Sequence, residues 1–344
     1  MIKRSSPLLI LGLAALALFP RAVQAQEDGY PFRLANFSFE FQGGLTWIAP
    51  SDMNSIAAYE EAYLQYYYVT RFAYYKSLYG DAYQVQSTRS GDASFNAIRD
   101  GLLSGVRLRY NLSPSFGLSV GVQFLSRDQT SSVGMKVDVV DGSRDYVDYG
   151  GTVSYRYQNS GFLLGAKAWV PQLGAHFGWK VGPVLRFEIL VAGGPMYVEC
   201  RSLSERRISV TDASGYQSGS LVRTDMTSKA TGVSVEAGGR IYVKTAGFLD
   251  FFVEGSFAFR EVSYLTGPGS SRSVAIDSNA EQDPVQQSWS GEWSSIKTEI
   301  TSSWGKFLQY KVQNQIPINK GMSIHNFGLN LSGFQLKAGI AIKL

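Results

Sequence analysis

Apolar and polar residues alternate with a period of two in the segment that begins at Asn36 and ends at Ile48. Successive side chains of a β-strand point to opposite faces of a sheet, so this alternation predicts a strand with one apolar and one polar face. The apolar positions are Phe37, Phe39, Phe41, Leu45 and Trp47, and the intervening positions are Ser38, Glu40, Gln42, Gly44 and Thr46.

The same pattern recurs along the chain and predicts eight strands in all. In the last of them the apolar positions change parity near Ser332 and Gly333, which indicates a β-bulge. The eight predicted strands cover residues 36–48, 102–112, 116–124, 169–180, 185–191, 233–243, 249–260 and 327–344.

The links between these strands alternate between short and long. Short turns at one end and long polar loops at the other are typical of outer-membrane β-barrels, whereas a soluble sandwich does not alternate so regularly. The short links are 113–115, 181–183 and 245–248, and the long links are 49–100, 128–167, 200–228 and 265–322.

The N-terminal 25 residues have the form of a secretory signal peptide, with Lys3 and Arg4 before an apolar run and a small-residue site that ends at Ala25. The run from Leu8 to Phe19 has 12 residues, fewer than the roughly 20 that a membrane-spanning helix needs. We therefore predict that residues 1–25 are removed and that residues 26–344 form a single domain.

Charge and cysteine content exclude other classes of protein. Of 32 basic and 28 acidic side chains, the signal peptide removes Lys3, Arg4 and Arg21, which leaves 29 − 28 = +1 and gives no indication of nucleic-acid binding. A single cysteine, Cys200, excludes an internal disulfide framework, and its surroundings favour a packed apolar role over a reactive thiol.

Glycine and aromatic content, without a second long apolar run, favour strands over helices as the membrane-crossing elements. An Arg or Lys facing lipid near the bilayer midplane costs roughly 2 to 4 kcal/mol, so the charges opposite the apolar faces must point inward. The interior of an eight-stranded barrel is just wide enough for side chains to fill, and buried charges need partners. We predict an ion-pair network in the lumen, either a plug or the lining of a narrow conduit. Its members are Glu40, Arg107, Arg109, Arg186, Glu188, Glu236, Arg240 and Glu254.

The signal peptide, the unit from Tyr110 to Phe116 and the closing stretch from Leu331 to Leu344 resemble those of small bacterial outer-membrane barrels of the OmpA, OmpW or opacity-protein type. The resemblance implies an antiparallel up-and-down barrel and a location in the outer membrane after export. It also implies lipid and lipopolysaccharide as surroundings, and periplasmic chaperones and the barrel-assembly machinery as partners during biogenesis. The implied C-terminal assembly signal consists of Leu336, Ala338, Ile340, Ile342 and Leu344, although that family usually ends in an aromatic residue.

The first long link is rich in tyrosine between residues 51 and 79, and its apolar spacing predicts a helix. These tyrosines either pack on the barrel rim or form a platform for a sugar or lipid, because a tyrosine pairs an apolar ring with a polar tip. Candidates for the platform are Tyr59, Tyr63, Tyr66 and Tyr67.

Two further segments bear on the architecture. Residues 296–312 can pair with 313–322, which makes a ten-stranded barrel the alternative to eight strands. Residues 133–139 and 146–157 resemble a hairpin around Asp141 and Gly142, which would prolong the barrel above the membrane.

Catalytic signals are weak in this sequence. It has two histidines, His176 and His325, without spacing to a triad, and without a metal cluster or phosphate loop, so we predict that the chain is not an enzyme and needs no cofactor or metal. We expect a monomer with a structural, adhesive or receptor role through its outer loops. The alternative is a narrow channel or transporter for small or hydrophobic molecules, followed by a lipid-modifying enzyme or a protease.

Overall fold

The computed structural model describes the chain in segments, and the predicted signal peptide lies outside them. The described residues are 36–48, 50, 53–64, 77, 83–141, 152–212, 214–245, 247–262, 264–277, 280–292, 294–302, 305–313, 323–326 and 328–344.

These residues form β-strands and one longer helix, which we call α1 and which covers residues 53–64. In the part of the chain that is described, no helix is long and apolar enough to cross a membrane. The strands are β1 (Phe37–Ile48), β2 (Tyr83–Gly91), β3 (Asp100–Asn111), β4 (Phe116–Asp141), β5 (Thr152–Val181), β6 (Leu185–Thr211), β7 (Gln217–Lys244), β8 (Leu249–Val262), β9 (Thr266–Asp277), β10 (Ala280–Glu281), β11 (Val285–Glu292), β12 (Ser294–Ser302), β13 (Gly305–Gln313), β14 (Ser323–Asn326), β15 (Leu329–Asn330) and β16 (Gly333–Lys343).

Eight strands close into a ring in which every neighbouring pair is antiparallel. The order is β1, β3, β4, β5, β6, β7, β8 and β16, and β16 returns to β1. Each of these strands contains, or closely matches, one of the eight segments predicted from alternation. The closing pair places Phe41 opposite Ile340 and Leu45 opposite Leu336.

The short links lie at one end of the ring, which we call the turn end. Gly182 and Gly247 adopt positive φ angles of 76° and 95° there, a conformation that glycine reaches without steric cost. The N-terminal end of β1 and the C-terminal end of β16 also lie at the turn end, because Ser38 is paired with Lys343.

Beyond the opposite end of the ring, β4, β5, β6 and β7 continue as a tall sheet, which we call the extension. Strand β2 pairs with β4 at one edge of it, and β9 pairs with β7 at the other, with β10 and β11 on β9. The predicted hairpin around Asp141 agrees with the ends of β4 and β5, and its tip lies outside the described residues.

Two of the predicted loops are therefore wrong. Residues 200–228 continue β6 and β7 almost to their connection, and residues 266–277, which include the glycine-rich start of the fourth long link, form β9. The apolar alternation that identified the ring strands is lost here because neither face of the extension is uniformly apolar, so pairing continues without that signal.

The segment proposed for a ten-stranded alternative lies apart from the ring. Strands β12, β13 and β14 form their own sheet in the order β13, β12, β14. In the described ranges none of them pairs with a ring strand, and residues 314–322 lie outside those ranges.

The two faces of the ring differ sharply in chemistry. The outward positions of its strands are exposed and apolar, as at Phe41, Val106 and Val253. The inward positions are charged or polar toward the turn end and apolar toward the extension, where Leu103, Leu125, Leu329 and Leu331 join one buried cluster.

This change of chemistry corrects the predicted bulge near Gly333. Leu329 and Leu331 are buried, as are Gln335 and Lys337, so the odd-numbered residues face inward on both sides of Gly333. The apolar positions changed parity because the inner face turns from polar to apolar at that height, whereas the side-chain alternation continues.

Candidate functional site

Charged side chains of alternating sign face each other across neighbouring strands inside the ring. Glu188 of β6 lies opposite Arg240 of β7, and Glu254 of β8 lies opposite both Arg240 and Lys337 of β16. Directly opposite residues have Cβ atoms about 5 Å apart, so the register places opposite charges in contact. We call the whole group the ionic network. Its members are Glu40, Arg107, Arg109, Arg186, Glu188, Glu236, Arg240, Glu254 and Lys337.

Glu40 lies near the centre of the network and is almost completely buried. Its Oε2 atom is 2.8 Å from Nη1 of Arg240 and 3.4 Å from Nη1 of Arg107. Arg240 also donates through Nε to Glu254 at 2.8 Å. One arginine therefore joins the carboxylates of β1 and β8 across the lumen.

Arg109 forms a two-pronged contact with Glu188, with Nη1 2.7 Å from Oε2 and Nη2 2.6 Å from Oε1. Such paired, charge-assisted hydrogen bonds fix the geometry of both groups. Arg186 adds a contact from Nε to Glu188 at 2.8 Å. The structure thus brings together all eight residues that were named from the sequence.

Two residues that the predicted network did not include also take part in it. Lys337 lies 2.6 Å from Oε1 of Glu254 and also contacts Glu236. The Tyr242 hydroxyl donates to Glu40 at 2.5 Å and accepts from Arg240 at 2.6 Å and from Arg109 at 3.1 Å. Both residues have the parity of the inward face, which was the signal available, but tyrosine is equally common on an outward apolar face.

Neutral polar residues and one further arginine lie next to the ionic network on the side of the extension. We call this group the polar layer. Its members are Gln123, Gln172, Ser234, Ser256, Arg260 and Gln335. Glu236 accepts hydrogen bonds from Ser256 at 2.7 Å and from Gln172 at 3.3 Å. Arg260 donates to Ser234 at 3.2 Å and to Oε1 of Gln123. His176 is buried and lies 2.8 Å from the Ser119 hydroxyl.

Apolar packing closes the ring toward the extension. Met53, Ile56 and Leu64 of α1 are buried in the same cluster as Leu125 and Val170 of the ring. Phe95, from the segment between β2 and β3, packs edge-on against Phe162 with 4.9 Å between the ring centroids. The helix predicted in the first long link is therefore present and covers one end of the lumen.

A buried carboxylate of α1 contacts the extension. Glu60 is buried and accepts from Ser204 at 3.1 Å and from the Tyr157 hydroxyl at 3.3 Å, and Arg206 lies 3.8 Å away. We call Glu60, Tyr157, Ser204 and Arg206 the helix clamp. Burial raises the pKa of the Glu60 carboxyl above its usual value, against the opposing effect of Arg206.

The tyrosines proposed as a ligand platform are in part occupied by packing. Tyr63 lies under the guanidinium of Arg206, 4.2 Å from carbon to ring centroid, and 6.4 Å from the ring of Tyr157. Tyr59 packs beside Tyr63, with 6.2 Å between the centroids. Tyr66 and Tyr67 lie outside the described residues.

The outer wall has a groove of about 1230 Å³ where β8 separates from β7 and β9 takes its place. Trp169, Tyr197 and Tyr264 line it, and each is about half exposed or more. Lys229 and Glu199 lie in the same groove, 3.9 Å apart. The groove therefore combines exposed aromatic rings with both signs of charge.

The residues proposed as a C-terminal assembly signal lie on β16 or directly after it. Leu336 is exposed on the outward face, and Leu344 follows the strand at the turn end. Ala338, Ile340 and Ile342 share the outward parity of Leu336 and pair with β1 on one side and β8 on the other. Within the described ranges, no group of His, Cys, Asp or Glu is arranged to hold a metal ion.

No family model matches the chain, and no curated protein matches it. Among solved structures it is similar to the crystal structure of the outer membrane protease OmpT from Escherichia coli. The identity is 8%, the TM-score is 0.27, and the match covers 92% of this chain and 99% of that chain. At these values the likeness carries no argument about function, and the finer resemblance to the OmpA, OmpW or opacity-protein type stays a prediction.

The comparison corrects the prediction that the chain is not an enzyme. That prediction rested only on missing catalytic signals, and one solved structure to which the chain is similar is that of a protease. We therefore withdraw the exclusion and assign no activity in its place. His176 faces the lumen, and His325 lies in β14, opposite Ser295 of β12.

Proposed function

We propose that the chain is an outer-membrane protein whose ring of eight strands spans the bilayer as a β-barrel and whose ionic network fills the lumen. The carrying observation is the contrast between the faces of the ring. The outward face of the ring carries an exposed band without ionised side chains, to which Phe41, Val106 and Val253 belong, whereas the charged side chains lie inside the ring. Such an exposed apolar surface is stable only against an apolar phase.

The height of the outward band supports this proposal. On β1 the band runs from Phe37 to Trp47, ten residue steps. At about 3.4 Å per residue and a tilt of about 45°, these steps span about 24 Å, close to the roughly 25 Å apolar band of outer-membrane barrels. Ionised side chains such as Lys167, Glu199 and Lys229 begin just beyond the band, on the side of the extension.

The position of the termini supports an orientation. An exported chain that inserts from the periplasm keeps the terminal end and the short turns on that side. The turn end then faces the periplasm, and the extension with α1 faces the outside of the cell. We infer that the monomeric barrel anchors this surface structure, which has a structural, adhesive or receptor role.

The surroundings follow from the same orientation. We propose that the groove at Trp169, Tyr197 and Lys229 contacts lipid or lipopolysaccharide head groups, because aromatic and basic residues favour the membrane interface and these residues lie where the apolar band ends. The outward face of β16 is then presented to the assembly machinery and to chaperones before insertion. Both interactions are proposals from the chemistry of these surfaces.

A matched pair of arginine substitutions tests the proposal. Val106→Arg places a charge in the middle of the outward band, and Thr130→Arg places one on the exposed outward face of the extension. If the band meets lipid, Val106→Arg costs roughly 2 to 4 kcal/mol and reduces the heat-modifiable, folded form in membranes, while Thr130→Arg has little effect. The proposal fails if both variants fold equally well, or if the processed chain folds in buffer without detergent.

Surface proteolysis of intact cells tests the orientation. Cleavage is expected in the extension or its connections, and not at the turns between β3 and β4 or between β5 and β6. Cleavage confined to those turns would reverse the orientation without affecting the membrane assignment.

A further inference from the structure

Arg260 differs from every other buried base of the ring. Its side chain is fully buried, and its guanidinium contacts only neutral groups, the Ser234 hydroxyl and the amide oxygen of Gln123. Arg107, Arg109, Arg240 and Lys337 each lie within 4.0 Å of a carboxylate. Among the described residues, Arg260 has no such partner.

The neighbouring charges do not balance Arg260, because Glu236, the carboxylate that acts on it, also contacts Lys337. The ionic network contains four carboxylates and five basic side chains, 5 − 4 = +1, so it carries an excess of positive charge already. Arg260 raises the excess to +2. Asp250 at the turn end is paired with Lys343. A buried charge without a counter-charge is strongly unfavourable, so the interior of the ring requires a negative charge that its own side chains do not supply.

Free hydrogen-bond donors mark the place where a counter-charge fits. Nη1 of Arg260 and Nε2 of Gln123 have no hydrogen-bond partner among the described residues, although the two side chains contact each other. Gln335 of the neighbouring strand β16 is also fully buried, and neither its amide nitrogen nor its amide oxygen has a partner among the described residues. Guanidinium and amide N–H groups all donate, and an anion accepts from several donors at once while it also supplies the missing negative charge.

We propose that the polar layer binds a small monovalent inorganic anion of the halide class, in contact with Nη1 of Arg260 and Nε2 of Gln123. The site lies between the ionic network and the apolar packing under α1, so it is enclosed on both sides and excludes a bulky organic anion. The bound anion compensates the buried charge of Arg260 and accepts hydrogen bonds from the donors of the polar layer that have no other partner. The inference depends on the closed ring and is independent of the membrane assignment.

Bromide replacement in a crystal of the full-length mature protein tests the site directly. Data collected at the bromine absorption edge should show an anomalous peak in contact with Nη1 of Arg260. The peak should vanish in Arg260→Gln and persist in Arg127→Gln, which removes a half-exposed arginine outside the ring interior. Ordered density at Arg260 without anomalous signal would mean water in place of an anion and would overturn the proposal.

Unfolding in detergent provides a second measurement that does not require a crystal. At constant ionic strength, the unfolding midpoint should rise as gluconate is replaced by bromide, because a ligand that binds only the folded state stabilises it. Arg127→Gln should keep this rise, and Arg260→Gln should lose it. If Arg260→Gln does not fold, Gln123→Leu, which removes one donor, should reduce the rise. Equal midpoints in both salts for the unchanged protein would overturn the proposal.

Discussion

Single residues inside the ring show how an apolar-walled cylinder accommodates ions. Arg240 contacts the carboxylates of Glu40 and Glu254 and stacks over the ring of Phe252, 4.3 Å from its centroid. Each ion is desolvated by the wall, and partners on the same strand and on other strands replace its hydration. The network thus links residues up to 202 positions apart in the chain, as the hydrogen bond from Tyr242 to Glu40 shows.

Glu254→Gln should destabilise the folded protein by about 3 to 5 kcal/mol, because it leaves Arg240 and Lys337 buried with one carboxylate fewer. The double variant Glu254→Gln with Lys337→Met should lose less than the sum of the two single variants, since the two side chains are in contact. Urea unfolding in detergent measures these differences. Glu199→Gln, in a half-exposed pair 3.9 Å from Lys229, is the control and should change stability by less than about 1 kcal/mol. Equal losses for Glu199→Gln and Glu254→Gln would contradict the importance of burial.

At the scale of elements, the ring depends on close backbone approach between the first and last strands. A Cβ atom added at Gly44 of β1 would overlap with the carbonyl oxygen of Leu336 on β16. At the adjacent Gly43 the nearest atom is 3.9 Å away, which is ordinary contact. The backbone of β16 therefore leaves no room for a side chain at Gly44, whereas Gly43 has room for one.

Gly44→Ala should therefore disturb ring closure, at a cost of about 1 to 3 kcal/mol that is typical of overpacking, whereas Gly43→Ala should be nearly neutral. The folded, heat-modifiable fraction after refolding into detergent micelles measures both variants. If Gly43→Ala proves the more harmful of the two, the β1 to β16 register described above is incorrect.

The attachment of α1 to the extension should depend on pH through Glu60. Its pKa is raised in the folded state, so the folded state binds the proton more tightly than the unfolded state does. This contribution to docking is complete below the usual carboxyl pKa and is lost as the pH rises through the raised value. The protection factors of the amides in residues 53–64, which are corrected for the intrinsic pH dependence of exchange, should accordingly be higher in mildly acidic buffer than in alkaline buffer.

Glu60→Gln should remove this pH dependence of the protection factors and keep them high at alkaline pH, because the amide stays neutral. Glu61→Gln is the control, since Glu61 is the next residue and pairs with Arg89 in a partly exposed bridge. If Glu61→Gln flattens the pH profile as well, the dependence does not arise in the helix clamp.

For the whole molecule, two successive layers obstruct the lumen: the ionic network near the turn end and the apolar packing under α1. The wall is continuous around the eight-strand ring, and both layers are built from side chains of several strands. The conduit that the sequence left open as an alternative has no support in this arrangement.

Planar bilayers containing the refolded protein should show no conductance steps. Deleting residues 53–64 should leave the bilayers non-conducting, because the interior of an eight-stranded barrel is just wide enough for side chains and the ionic network fills it near the turn end. Stable steps from the unchanged protein would contradict the plug, and steps from the deletion variant alone would place the seal at α1.

The sequence by itself determined the ring strands, the turn end and the inward set of charges, because side-chain alternation is a local property and the outward face of the ring is uniformly apolar. It identified Glu40 and Arg240 as inward-facing but could not show that Tyr242 lies between them, since a tyrosine fits either face. Only the tertiary structure decided that Leu329 and Leu331 point inward and that β6 and β7 continue to Thr211 and from Gln217. It also decided that Arg260 has no acidic partner among the described residues. These features depend on which residues contact each other across the lumen. Such contacts join positions far apart in the chain, and they are determined by the strand register and by the closure of the ring.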